Sequence, residues 1–186
     1  SEDAMLMGAE MAYTAKDYEK ALHIYKQLKD KAASMECRQL AKTGMLRSAH
    51  MLGNEEEIIF TATDLLADTK LAPELSNEAH YYRAKAYLDA GKTDGAMEDL
   101  KILAKDTRNV YGAEAKYKVA QIYFDGGQTD KAEQEVLNYI EVSTPHTYWL
   151  ARSFVLLADV YMKSGRNLDA KQYLLSLKQN YQADDD

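Results

Sequence analysis

Cysteine occurs once in the 186 residues, as Cys37. A lone thiol excludes an internal disulfide and a zinc site built on several cysteines, and it fits a reducing or an oxidising compartment equally. Prolines number two and glycines nine, so few positions interrupt a helix. Positive charge is in deficit, with 23 Lys and Arg against 30 Asp and Glu, a net −7 at pH 7. That balance argues against nucleic acid, whose phosphates need clustered cations, and against an anionic membrane surface. No apolar run approaches the ~18 residues of a membrane span, so no direct membrane insertion is expected. The N-terminus lacks a basic region followed by an apolar stretch, so no signal peptide is expected within these residues.

Chemical motifs are missing as well. His23, His50, His80 and His146 have no helical ligand spacing, and no HExxH occurs. Glu55-Glu56-Glu57 reads as first-turn carboxylates favoured by the helix dipole. Gly126-Gly127 reads as a helix-ending turn, not a phosphate loop. No Ser or Cys has the surroundings of a nucleophile, and Asp184-Asp185-Asp186 reads as a solvated tail. The expectation is a chain with no catalytic residue, no cofactor and no metal.

What is present is repetition. A signature of Ala, Tyr three on, Gly four further, Ala five further and an aliphatic four beyond appears three times in register. The copies are Ala84/Tyr87/Gly91/Ala96/Leu100, Ala120/Tyr123/Gly127/Ala132/Val136 and Ala158/Tyr161/Gly165/Ala170/Leu174. Ala and Tyr three apart share a helix face. Gly suits the left-handed turn that ends a helix. The second Ala and the aliphatics mark one face of a following helix. Small residues on both helices let the backbones approach, so each copy reads as a helix–turn–helix hairpin with an alanine seam. Two degenerate copies precede, with Lys16 and Gly53 at the turn and Ile58 in place of one seam alanine. Successive turn positions lie 36 to 38 residues apart. The hairpins fall at about 3–33, 35–69, 74–106, 110–143 and 146–181. Their ten helices are expected near 3–15, 18–33, 35–52, 55–69, 74–90, 93–106, 110–125, 129–143, 146–164 and 167–181. Asp17 and Asn54 read as N-caps, and Pro73 and Pro145 as first-turn residues. The predicted fold is all-α, in one domain and without strands. Tyr87, Tyr123 and Tyr161 are expected to be mostly buried in the seams.

These residues resemble the tetratricopeptide repeat, from about Met5 to Tyr181 and most clearly in the last three hairpins. The family's first-helix Trp is absent; His80, Lys116 and Phe154 stand there. Its closing Pro is mostly missing. The repeats exceed the usual length of about 34 residues, and in this they resemble bacterial cell-envelope proteins of the family, including lipoproteins of outer-membrane assembly. The stretch from Tyr148 to Asp159 is similar to the end of large tetratricopeptide proteins of Gram-negative bacteria. The resemblance implies a right-handed α-solenoid of five stacked hairpins whose first helices line a concave groove. It implies protein or peptide binding without catalysis, and a periplasmic or outer-membrane-associated location.

Helix geometry then specifies groove rows. Leu6, Thr43, Tyr81, Tyr117 and Val155 form the first. Glu10, Arg47, Lys85, Gln121 and Asp159 form the second, basic in the middle. Tyr13, His50, Leu88, Phe124 and Met162 form the third, largely apolar. The central surface of Tyr81, Lys85, Leu88, Tyr117, Gln121 and Phe124 is the expected partner-binding site, suited to an amphipathic segment with an acidic centre. Asn is absent from these rows, so the paired Lys/Asn clamp for a C-terminal carboxylate known in some relatives is not carried over. A rival role for Tyr81 and Tyr117 is packing between neighbouring first helices. The first helix is apolar nearly all round (Met5, Leu6, Met7, Met11), unlike a polar terminal cap. This suggests self-association through that helix, a covering partner, or a longer array of which this chain is the C-terminal part. The favoured reading is an interaction scaffold of an envelope or secretion-linked assembly. The alternative is a recruiting or regulatory module of a larger protein whose catalytic domain lies elsewhere.

Overall fold

The computed structural model describes residues 1–142 and 144–185, with side chains through Gln179. The acidic tail read as solvated lies outside the described side chains. Ten α-helices and no strand make up the described residues. They are α1 (Glu2–Thr14), α2 (Tyr18–Lys31), α3 (Met35–Leu52), α4 (Glu55–Leu66), α5 (Pro73–Asp89), α6 (Thr93–Leu103), α7 (Val110–Asp125), α8 (Thr129–Glu141), α9 (Thr147–Lys163) and α10 (Asn167–Asp185). Consecutive helices pair as five hairpins, as the repeat predicts.

One local device closes every hairpin. The turn residues Lys16, Gly53, Gly91, Gly127 and Gly165 all have positive φ, between 63° and 78°. In each case the next residue's N–H donates to the carbonyl five residues back. The pairs are Asp17–Ala12 (2.9 Å), Asn54–Ala49 (3.0 Å), Lys92–Tyr87 (2.7 Å), Gln128–Tyr123 (2.8 Å) and Arg166–Tyr161 (2.7 Å). This Schellman pattern satisfies carbonyls that the ending helix would leave bare, and it requires a left-handed residue. N-caps start the next helices. Asp17 Oδ1 accepts from the Lys20 N–H at 3.2 Å and Asn54 Oδ1 from that of Glu57 at 3.2 Å.

The structure corrects several boundaries. α2 ends at Lys31, α4 at Leu66 and α6 at Leu103, each short of the expected end, and α10 runs on to Asp185. The chain beyond α4 and α6 is held by the same turn: Asp68 and Asp106 each accept a hydrogen bond from the N–H two residues on, at 2.9 and 3.1 Å. Such a bond gives the backbone an alternative to the helix. Pro73 opens α5 as expected, but Pro145 does not open α9; His146 is the N-cap and the helix begins at Thr147.

The chain forms two compact units, Ser1–Asp99 and Leu100–Asp186. In the first, Ala9, Ala12, Ala21, Tyr25 and Met45 form one core cluster. Leu46, Ala49, Ile58, Ala62 and Leu65 form another with Ala79 and Ala86. In the second, Ala120, Ala132 and Val136 join Leu156, Leu157, Ala158, Val160, Tyr161 and Ala170. Every predicted seam alanine is buried. Tyr161 is buried too, but Tyr87 and Tyr123 are only half-buried. Their rings carry cations instead: Arg83 over Tyr87 at 5.9 Å, and Lys101 and Lys131 over Tyr123 at 5.7 and 5.6 Å.

Candidate partner-binding site

The six residues read from the sequence divide between the units. Tyr81, Lys85 and Leu88 lie on α5, and Tyr117, Gln121 and Phe124 on α7, each trio spaced to share a helix face.

In the first unit, Lys85 Nζ donates to the Tyr81 hydroxyl at 3.3 Å and lies 5.1 Å from that ring's centre. Tyr82 meets Tyr81 at 5.9 Å and stacks on His50 of α3 at 4.1 Å, the planes 16° apart. Burial pushes the His50 imidazole down from its ordinary pKa, and the Lys85 charge adds to this. His50 is therefore neutral at pH 7 and packs as an aromatic. Arg47, also on α3, is answered by Glu78 through Nε at 2.7 Å and Nη2 at 2.9 Å. Lys85 has no carboxylate partner among the described residues. Where α1 meets α3, a cleft of about 350 Å³ is lined by Leu6, Glu10, Tyr13, Thr43 and Arg47, all members of the predicted groove rows. Tyr25 of α2 reaches this cleft because residue 44 is glycine; a Cβ there would strike the Tyr25 ring.

In the second unit, Tyr117 is 7% exposed and belongs to the core. Its ring packs on Trp149 of α9 at 5.7 Å, so its placement agrees with the packing role that was the rival expectation. Its hydroxyl donates to Gln121 Oε1 at 2.8 Å, and Gln121 Nε2 donates to Asp125 Oδ1 at 2.7 Å. Phe124 is half-buried, with Lys163 Nζ 5.2 Å from its ring centre.

The sequence reading missed Arg152 of α9. Its guanidinium carbon lies 4.6 Å from the Tyr117 ring, 5.4 Å from Trp149 and 5.8 Å from Tyr148. Nη2 donates to the Tyr117 hydroxyl at 3.2 Å and Nη1 to that of Tyr148 at 3.5 Å. Part of this was legible, because Tyr148 and Trp149 precede Arg152 by four and three residues on one helix. The contact with Tyr117, 35 residues away, was not.

Two other features complete the chemistry. Asp99 of α6, 1% exposed, accepts from Arg83 Nε at 2.9 Å and Nη2 at 2.7 Å, and pairs with His80 Nδ1 at 2.7 Å. Burial pushes this carboxyl up, but the bonds to His80 and Arg83 outweigh it and hold the group below its ordinary pKa. A concavity of about 450 Å³ in the second unit is lined by Lys101, Lys105, Arg108 and Lys116. Arg108 is paired with Asp106 and Lys116 with Glu135. Among the described residues, no group of His, Cys, Asp and Glu is arranged to hold a metal ion.

Residues 78–106, the hairpin of α5 and α6, match the profile of the tetratricopeptide repeat. No curated protein matches the chain by sequence. Among solved structures, that of the protein MamA superposes with a TM-score of 0.74 at 17% identity, covering 96% of this chain and 90% of that one. BtubC (BKLC) from P. vanneervenii gives 0.67 at 13% identity, covering 95% of this chain and 78% of that one. A kinesin light chain-type protein of Podospora anserina with nearly identical TPR-like repeats gives 0.63 at 18% identity, covering 95% and 93%. At these identities the likeness establishes the fold.

Proposed function

We propose that this chain, a tetratricopeptide-repeat protein by its fold and by the match of its third hairpin, is a non-catalytic scaffold that binds a segment of a partner protein on the faces of its first helices. The observation that carries this reading is that folding does not use those faces up. Tyr81, Lys85, Leu88, Gln121 and Phe124 remain only half-buried, and they combine aromatic and apolar anchors with a cation. That is the composition of binding hot spots. The setting in a bacterial envelope or secretion-linked assembly rests on the resemblance of the long repeats to proteins of that kind.

The test is capture of partners from an extract of the source organism by the intact chain and by the double variant Lys85→Glu, Phe124→Ala. Loss of capture of about tenfold or more, with the helical circular dichroism unchanged, is expected. Capture unaffected by the pair of changes would overturn the proposal. It extends to self-association through α1, where Met7 and Met11 are 63% and 66% exposed and share a face. A sedimentation coefficient independent of protein concentration would remove that extension.

A further inference from the structure

We infer that Arg152 is a receptor for a carboxylate side chain, and that the partner segment presents an Asp or Glu to it. The inference rests on the scaffold reading above and names the chemistry of what is bound. Arg47, Arg83, Arg108 and Arg166 each pair with a carboxylate, at 2.7 to 3.0 Å. Arg38 donates to the Ala32 carbonyl at 3.3 Å. Arg152 alone is held by aromatic rings and phenolic oxygens, with no carboxylate partner among the described residues. Scarcity of acids does not explain this, since the chain has 30 Asp and Glu against 23 Lys and Arg.

The surroundings orient the group without neutralising it. The Tyr117 and Trp149 rings lie 4.6 and 5.4 Å from the guanidinium carbon, and with the two phenol bonds they restrain its position. The hydroxyl of Tyr117 is itself fixed, because its proton goes to Gln121, whose amide is in turn held by Asp125. The phenolic oxygen is thereby left as an acceptor for Nη2. Of the five N–H donors of a guanidinium, two are used in these bonds. Three remain, and a bidentate carboxylate needs two of them. The residue is exposed, so a partner can reach it. A purely structural clamp between α7 and α9 would need the ring contacts but not the remaining donors, which face solvent. The positive charge of the guanidinium, with rings and phenolic oxygens around it and no carboxylate partner among the described residues, is complementary to an acidic group.

Trp149 is the only tryptophan of the chain and lies against the guanidinium, so its emission reports on this spot alone. The probes are a blocked amphipathic helical peptide with a single central Glu and the same peptide with Gln. With the whole chain, the Glu peptide is expected to shift Trp149 emission at a concentration about tenfold lower than the Gln peptide, as a charge-assisted hydrogen bond implies. Arg152→Gln is expected to abolish the preference, and Arg152→Lys, which keeps the charge but loses the fork, to retain part of it. Melting curves are to establish whether both variants are folded; should Arg152→Gln be unfolded, the Lys variant decides alone, and an undiminished preference there overturns the inference. Equal affinity of the intact chain for the two peptides overturns it while leaving the scaffold reading standing. A preference that survives Arg152→Gln, or no response to either peptide, overturns it as well. Dimerisation of the intact chain that Arg152→Gln abolishes would assign the carboxylate to a second copy, against the inference.

Discussion

Lys16 occupies the one hairpin turn not given to glycine, at φ 63°. A side chain in the left-handed region costs roughly 1–2 kcal/mol, partly offset because lysine has less freedom to lose on folding than glycine. Lys16→Gly is therefore expected to stabilise the chain by about 0.5 kcal/mol, a rise in melting temperature of ~1–2 °C. The mirror change, Gly127→Ala, places a Cβ at φ 78° and is expected to lose about 1 kcal/mol. No atom crowds a Cβ at residue 127, so the loss measures backbone strain alone. Tyr117 lies in the core of the second unit. Its burial predicts that Tyr117→Ala lowers stability by about 3 kcal/mol or more in thermal melts. A small loss would show the ring to be surface after all.

Within the third hairpin, Asp99 joins α6 to α5 through His80 and Arg83. Replacing it by Ala leaves a guanidinium and an imidazole facing an apolar gap, and the expected cost is about 3 kcal/mol. The sign of the pH dependence follows from the depressed carboxyl. Its contribution is complete above the ordinary Asp value near 3.8 and is lost as the pH falls through the lower, folded value. Stability of the intact chain should thus fall more steeply below about pH 4 than that of Asp99→Asn, in urea melts at a series of pH values. Between α6 and α7 the contact is backbone on backbone. A Cβ on Gly112 would collide with the Asp106 carbonyl and come within 2.6 Å of that of Leu103, so Gly112→Ala should destabilise more than Gly127→Ala. In the fourth hairpin, Ala132 is fully buried. Ala132→Leu should overpack the seam at a cost of roughly 1–3 kcal/mol; an unchanged melting temperature would mean the seam has room that the structure does not show.

For the whole molecule, the two units Ser1–Asp99 and Leu100–Asp186 each carry first-helix surfaces of aromatic rings and cations. In the first, Lys85 rests on Tyr81; in the second, Arg152 rests on Tyr117 and Trp149. A partner segment that engages both gains from each, so mutations in the two units should be separable. Lys85→Glu and Arg152→Gln are expected to weaken partner capture independently, with effects on binding free energy that add when combined. A double variant no weaker than either single one would show that only one unit is engaged.

The helices, their hairpin pairing and the burial of the seam alanines were determined by the sequence itself, because each rests on relations spanning a few residues. A Gly at the end of an apolar stripe, an N-cap behind it and an Ala at helical spacing all act through hydrogen bonds and contacts within one hairpin. Even Lys16 was placed correctly, since the register of the turns held where the residue type did not. Three things were decided only by the tertiary structure. Tyr117 turned toward Trp149 and Arg152, Asp99 became the buried partner of two bases, and Gly44 and Gly112 became points of closest approach. These depend on which side chains of different helices meet and at what distance. Periodicity along one helix specifies a face but not the residue that the neighbouring helix sets against it.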